Sequence, residues 1–382
     1  MRTKQQTGNS SQLRAASPLA PVEASGLALT FQSLVLDGLR HVYPTVTGLL
    51  TGMMLVLGGI FPVVGRWLRD EIDIRSMQDV VRSLGGVWVP AQDPERFEDL
   101  GLPLTRNQAP QLFELLTTQA RRLGTRLPER VYLTYLPCCG IVQAAHSKAR
   151  AGLMIGLPLI DVLTLTELQA VLVHELAHLA RGDTARTAWA IRFVEWMSDE
   201  IDPWPADPGL LQRMNPLRAW SRFTLRLGRR CLGPVVRGQE SRADRLAASI
   251  VGGDAVASGL VKTAMVQPLF REILTTYEQH SHDFPNLYAM FRLFWGRLPE
   301  PLLTSMRHTM LARRNSLPDP AHPDILERIA AVQAYPTRRG NHLTAEPAVH
   351  CLGDVAALEA QLHTRLFKLD RPEPSIFHRA GS

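Results

Sequence analysis

The sequence predicts an α+β fold, mostly helical with one small mixed sheet, preceded by a single transmembrane helix. Three observations lead there. Three short β-like runs lie between residues 131 and 157, and their connections are too short for crossover helices. From 164 onward apolar residues recur almost continuously at helical spacing. From Val42 to Gly65 stand 24 residues without a charge.

Residues 1–41 read as a disordered tail, the first 26 being polar and rich in Ala, Ser and Pro. The run at 42–65 is long enough to cross roughly 30 Å of hydrocarbon at about 1.5 Å per residue. A buried core helix or hairpin stays open as its alternative, because Pro44, Pro62 and several glycines interrupt it. Arg66, Arg69, Arg75 and Arg82 follow the run, whereas Arg40 is the one cation in the twenty residues before it. If the run spans, that asymmetry keeps the C-terminal part in the cytoplasm, with membrane lipid as a partner through 42–65.

One domain is expected over 66–335. Its elements are a short strand at 85–89, an amphipathic helix at 109–123, and strands at Val131–Leu136, Ile141–Ala145 and Gly152–Leu157. Thr164 and Glu167 form a T-x-x-E capping box that starts the best-signalled helix, and Gly182 stands where its left-handed cap belongs. Helices continue from 184, broken at 202–209; Trp189, Phe193 and Trp196 recur as core positions. Residues 336–382 form a weakly patterned extension with one helix near 354–368.

Composition excludes some classes. With 45% apolar and 20% charged residues, the 382-residue chain fills a real core. A net charge of +6, from 42 basic against 36 acidic residues, is too mild and too spread to indicate nucleic acid. Cys138, Cys139, Cys231 and Cys351 have neither zinc-ribbon spacing nor the density of a disulfide scaffold.

Within the capped helix stands His174-Glu175-Leu176-Ala177-His178. Residues four apart project from one helix face, as two ligands of a single Zn²⁺ require. Glu175 lies about 100° round the helix from His174, beside the ion without having to bind it, where a general base belongs. A catalytic zinc needs a third protein ligand and an open position. Glu240 in RGQESRADRLAASIVGG offers one, with Asp244 a turn later to orient a histidine. Asp183, just past the Gly182 cap, is the rival, better suited to orienting a ligand or bonding backbone. The spacing that places a third ligand directly after the helix is absent, since Arg181 and Thr184 occupy those positions.

With HELAH followed 62 residues later by Glu240 in E-S-R-A-D, the chain resembles the membrane-associated zinc metallopeptidases of the HtpX and CAAX-prenyl-protease type over about 105–335. The resemblance implies a zincin-like domain holding one Zn²⁺ through His174, His178 and Glu240, with Glu175 as catalytic base and Asp244 as supporting acid. It further suggests His322, in His322-Pro323, and Arg328 as residues near the metal. The implied activity is zinc-dependent endopeptidase action on an extended polypeptide lying along a strand within 141–157, in membrane-linked protein quality control. A zinc-stabilised, non-catalytic scaffold or chaperone-like binder is the alternative, and the retained Glu175 argues against it. Cys138-Cys139-Gly140 departs from the Asn-Ala that often precedes the family's edge strand.

Overall fold

The structure is a computed structural model that describes residues 22–54, 77–84, 86–87, 101–143, 151–205, 213–279, 286–312, 324–335 and 346–368. In chain order the elements are α1 (Val22–Met54), α2 (Met77–Ser83), β1 (Leu102–Leu104), α3 (Pro110–Leu123), β2 (Arg130–Thr134), β3 (Cys139–Gln143) and β4 (Ala151–Gly156). There follow α4 (Leu157–Val162), α5 (Leu165–Arg181), α6 (Asp183–Ile201), α7 (Pro216–Val251), α8 (Gly253–Gln279), α9 (Leu287–Arg297), α10 (Glu300–Ala312), α11 (Ile325–Gln333) and α12 (Val355–Lys368). A 3₁₀ turn, Ala348–Cys351, precedes α12.

The sheet has the order β1-β2-β4-β3. β2 and β4 are parallel, while β1 and β3 pair antiparallel to their neighbours, so the sheet is mixed and β3 is an edge. β2 and β4 are apolar on both faces, as central strands covered by helices are, and Leu133, Leu153 and Ile155 are fully buried. Of the strand expected at 85–89, residues 86 and 87 are irregular and the others lie outside the described residues. The fourth strand is Leu102-Pro103-Leu104, too short to alternate and tolerant of proline because it is an edge.

Three apolar clusters hold the helices. The largest joins the sheet to α3, α4, α5, α8, α9 and α12. The second joins α1, α6 and α7, with Phe193 buried and Trp189 and Trp196 packed against it. The third is a seam of small side chains, with Ala170 and Val173 of α5 against Ala247, Ala248 and Val251 of α7 and Val332 of α11. Small residues let these backbones approach closely. At Gly253, where α8 begins, a Cβ would lie 2.1 Å from the Val332 carbonyl oxygen, so only glycine admits α11 there.

The expected transmembrane helix is not confirmed. Among the described residues no helix is long and apolar enough to cross a membrane. The helix that carries 42–54 begins at Val22, so residues 22–41, read as tail, are helical and bring Asp37 and Arg40 with them. Tyr43 is buried, 5.1 Å from the Phe193 ring and stacked on Trp220, and Trp220 Nε1 donates to Thr47 Oγ1 at 3.2 Å. This face packs on α6 and α7 as a core helix does. Residues 55–65 lie outside the described residues.

Candidate metal centre

The centre is built from the capped helix outward. Thr164 Oγ1 accepts the Glu167 N–H at 3.3 Å, Glu167 Oε2 accepts the Thr164 N–H at 2.7 Å, and Gly182 closes α5 at φ 68. Glu167 also accepts from Lys262 Nζ at 2.7 Å and Ser258 Oγ at 2.6 Å, tying the start of α5 to α8. The C-terminal segment pairs with the same end, where Leu165 N–H donates to Glu346 O at 2.8 Å and Ala348 N–H to Leu163 O at 2.9 Å. The start of the helix is thus pinned to α8 and to the C-terminal segment, and its end is closed by the Gly182 cap.

One turn apart on α5, His174 and His178 bring their Nε2 atoms within 3.1 Å, their rings nearly perpendicular at 80°. Glu240 arrives from α7 across the small-residue seam. Its Oε2 lies 3.4 Å from His174 Nε2 and its Oε1 3.3 Å from His178 Nε2. Among the described residues these three form the group of His, Cys and carboxylate donors able to hold a metal ion. The spacing fits zinc, because bonds of about 2.0–2.1 Å in a tetrahedron give ligand separations of roughly 3.3–3.4 Å.

Asp244, one turn beyond Glu240, accepts from His174 Nδ1 at 2.9 Å. A proton held on Nδ1 leaves the Nε2 lone pair free to face Glu240 and a metal. Arg328 comes from α11 and clamps both carboxylates. Its Nε donates to Asp244 Oδ2 at 2.7 Å and its Nη2 to Asp244 Oδ1 at 2.9 Å, and Nη2 lies 3.0 Å from Glu240 Oε2.

The electrostatics follow from burial and from these partners. Burial pushes the Glu240 carboxyl up, but hydrogen bonds from both histidines and the Arg328 charge hold it well below the usual carboxylate range. Asp244 is likewise pushed up by burial and brought below its usual range by Arg328 and His174. Burial alone would lower His174; Asp244 and Glu240 raise it above its ordinary value. Glu175 behaves oppositely to the other acids, since burial raises its carboxyl and the nearby histidines offset this only in part. Its Oε2 accepts the Ile141 backbone N–H of β3 at 3.2 Å. With Glu175, Glu240 and Asp244 ionised against one arginine, the formal excess is the charge that one divalent cation neutralises.

Of the residues singled out in the sequence, His174, Glu175, His178, Glu240, Asp244 and Arg328 come together. The side chain of Asp183 lies outside the described residues, and its backbone opens α6 directly after the Gly182 cap. His322 also lies outside them. Sequence reasoning missed the Ile141 amide, since a backbone donor carries no side-chain signature. It also missed the Arg328–Glu240 contact, whose partners are 88 positions apart.

Residues 148–335 match the sequence model of peptidase family M48. The chain is similar to a protein named Protease HtpX homolog of Arthrobacter sp. (strain FB24), 24% identical over 131 residues, covering 34% of this chain and 37% of that protein. The protein of the same name from Pelotomaculum thermopropionicum is 30% identical over 81 residues, 21% and 28% of the two chains. That of Acaryochloris marina is 28% identical over 160 residues, 38% and 52%. The chain therefore spans about half or less of the length of these curated relatives. No solved structure matches it. Both helices that carry the converging imidazoles and carboxylates fall inside residues 148–335, the stretch over which the chain is similar to peptidase family M48.

Proposed function

We propose that the protein is a zinc-dependent endopeptidase acting on extended or unfolded polypeptides. The observation that carries this reading is the convergence of His174, His178 and Glu240 beside Glu175, a part-buried carboxylate that holds the edge strand by its backbone. His174, His178 and Glu240 would hold one Zn²⁺, with Asp244 and Arg328 orienting His174 and Glu240. When bound, zinc lowers the pKa of a coordinated water toward about 7 and polarises the scissile carbonyl.

Glu175 does the proton work. Its raised affinity for a proton suits a base that accepts one from the attacking water and then delivers it to the departing amide nitrogen. The substrate adds as a strand to β3, whose outer edge has no strand partner among the described residues. Backbone pairing reads little sequence, which suits quality control of damaged chains.

Contact with membrane lipid is part of the same proposal. Phe31, Leu34, Val42, Leu49 and Met53 are exposed along the outward side of α1, and such a stripe rests on a bilayer surface without crossing it. Liposome flotation of the full chain tests this; sedimentation free of lipid would contradict it.

The deciding experiment compares casein cleavage by the zinc-loaded protein and by Glu175→Gln. Loss of cleavage by about 10²–10⁴-fold with zinc retained supports the peptidase. Zinc binding with no Glu175-dependent cleavage of any polypeptide leaves the non-catalytic scaffold.

A further inference from the structure

The open edge of β3 is already engaged by the helix that carries the histidines. Cys139 pairs with Ile155, so Cys138 stands opposite Gly156, and Gly156 N–H donates to Cys138 O at 2.7 Å. In an antiparallel pair such bonded positions alternate with unbonded ones. Gly140 and Val142, opposite Met154 and Gly152, therefore turn their N–H and C=O groups toward β4. Cys139, Ile141 and Gln143 turn theirs outward. The Ile141 N–H agrees with this register, because its acceptor is Glu175 Oε2 of α5 at 3.2 Å and not a group of β4.

Packing fixes how the strand lies. Ile141 is buried in the largest apolar cluster with Leu172 and Leu176 of α5, and Cys139 packs against the same cluster. One face of β3 thus rests on α5, its edge is left open, and Glu175, next to Leu176, reaches that edge. A second strand laid antiparallel on this edge meets Ile141 in the middle of β3. There it needs the Ile141 N–H for one of its carbonyls and the Ile141 C=O for one of its N–H groups. Glu175 occupies the first of these positions. A bond to a charged acceptor is stronger than one to a neutral carbonyl, so one peptide carbonyl does not displace Glu175 alone. A whole strand can, because it adds the remaining edge bonds at Cys139 and Gln143.

We infer that the Ile141 N–H is a gate on Glu175: at rest it holds the carboxylate, and a polypeptide strand pairing with β3 takes the N–H over and releases it. The released oxygen then faces the attacking water, so the base is set free only where an extended chain lies on the edge. Folded proteins and short peptides that cannot pair leave Glu175 where it is. The inference rests on the peptidase reading for the task of Glu175, but the exchange of partners at Ile141 does not require catalysis.

The test uses the zinc-loaded full chain and reads amide hydrogen exchange by NMR. Glu175→Ala should speed exchange at Ile141 by about ten-fold or more, while Gly140 and Val142, bonded to β4, keep their rates. A fluorescent octapeptide of alternating valine and threonine is then bound to Glu175→Ala and to Glu175→Gln, whose amide oxygen still accepts from Ile141. The Ala variant should bind it about three- to ten-fold tighter, the worth of one hydrogen bond, and bound peptide should slow Ile141 exchange again. Ile141→Pro, admissible where the N–H makes no ladder bond, should remove the difference between Ala and Gln. Unchanged Ile141 exchange in Glu175→Ala, or equal binding by the Ala and Gln variants, overturns the gate. Equal binding together with Glu175-dependent cleavage of casein by the unsubstituted protein removes the gate and keeps the peptidase. The stated binding order without any cleavage keeps the exchange at Ile141 and removes the peptidase. No binding of the peptide to either variant removes the gate and the strand-addition reading together.

Discussion

At the scale of single residues the site is an exercise in charge pairing. Arg328 reaches Asp244 with two nitrogens and Glu240 with one, and Asp244 in turn holds His174 by Nδ1. A planar guanidinium spans both acids as a single ammonium cannot. Arg328→Lys should therefore behave much like Arg328→Ala, each lowering metal affinity by about 10–100-fold, as loss of a ligand's supporting partner does. Competition with a chelating dye measures this, and unchanged affinity in both variants would remove the positioning role. The spacing of His174, Glu175 and His178 was legible because four residues is a helical repeat. Arg328 was legible only through resemblance to a family, because nothing local relates α11 to α7.

Among the elements, α5 is the one the sequence announces most clearly. Its cap, its apolar period and its terminating glycine agree with each other, and the helix runs between the expected points. Thr164→Ala should cost about 1 kcal/mol, read as a lower urea midpoint with unchanged slope. Gly156→Ala should do far more, because the new methyl meets the Leu136 carbonyl; loss of soluble protein or of the cooperative transition is the expected result. The strands β2, β3 and β4 were legible as short β-like runs, although β3 begins at Cys139 instead of Ile141. β1 was not, since three residues containing a proline show no alternation. The uncharged run at 42–65 pointed to a span because hydropathy does not register what a helix packs against. Leu36, Leu39 and the buried Tyr43 pack the helix that carries its first part against α6 and α7.

For the molecule as a whole, the far end of the fold carries its own buried charges. Asp161 of α4 and Glu359 of α12 share Arg292 of α9, with Asp161 Oδ2 at 3.3 Å and Glu359 Oε2 at 3.0 Å. Burial, aided by Glu359 and opposed by Arg292, pushes the Asp161 carboxyl up to about 7. The folded chain thus holds this proton more tightly than the unfolded one, whose aspartates titrate near 3.9. The resulting stability is fully present below about pH 4 and is lost as pH rises through about 7. Asp161→Asn keeps an acceptor for Arg292 and removes the titration. Its Tm should exceed that of the unsubstituted protein at pH 8 while the two converge at pH 5, and the reverse order would refute the assignment. No pattern in the sequence foretold this cluster, because its members come from three helices joined only by folding.

The metal site itself is tested most directly by counting zinc. After dialysis, mass-spectrometric metal analysis should find one zinc per chain in the unsubstituted protein and in Glu175→Gln. His174→Ala and Glu240→Ala, folded by circular dichroism, should have lost it. Zinc retained in full when Glu240 is removed would mean that the α7 carboxylate does not hold the ion, and the proposed chemistry would lose its foundation.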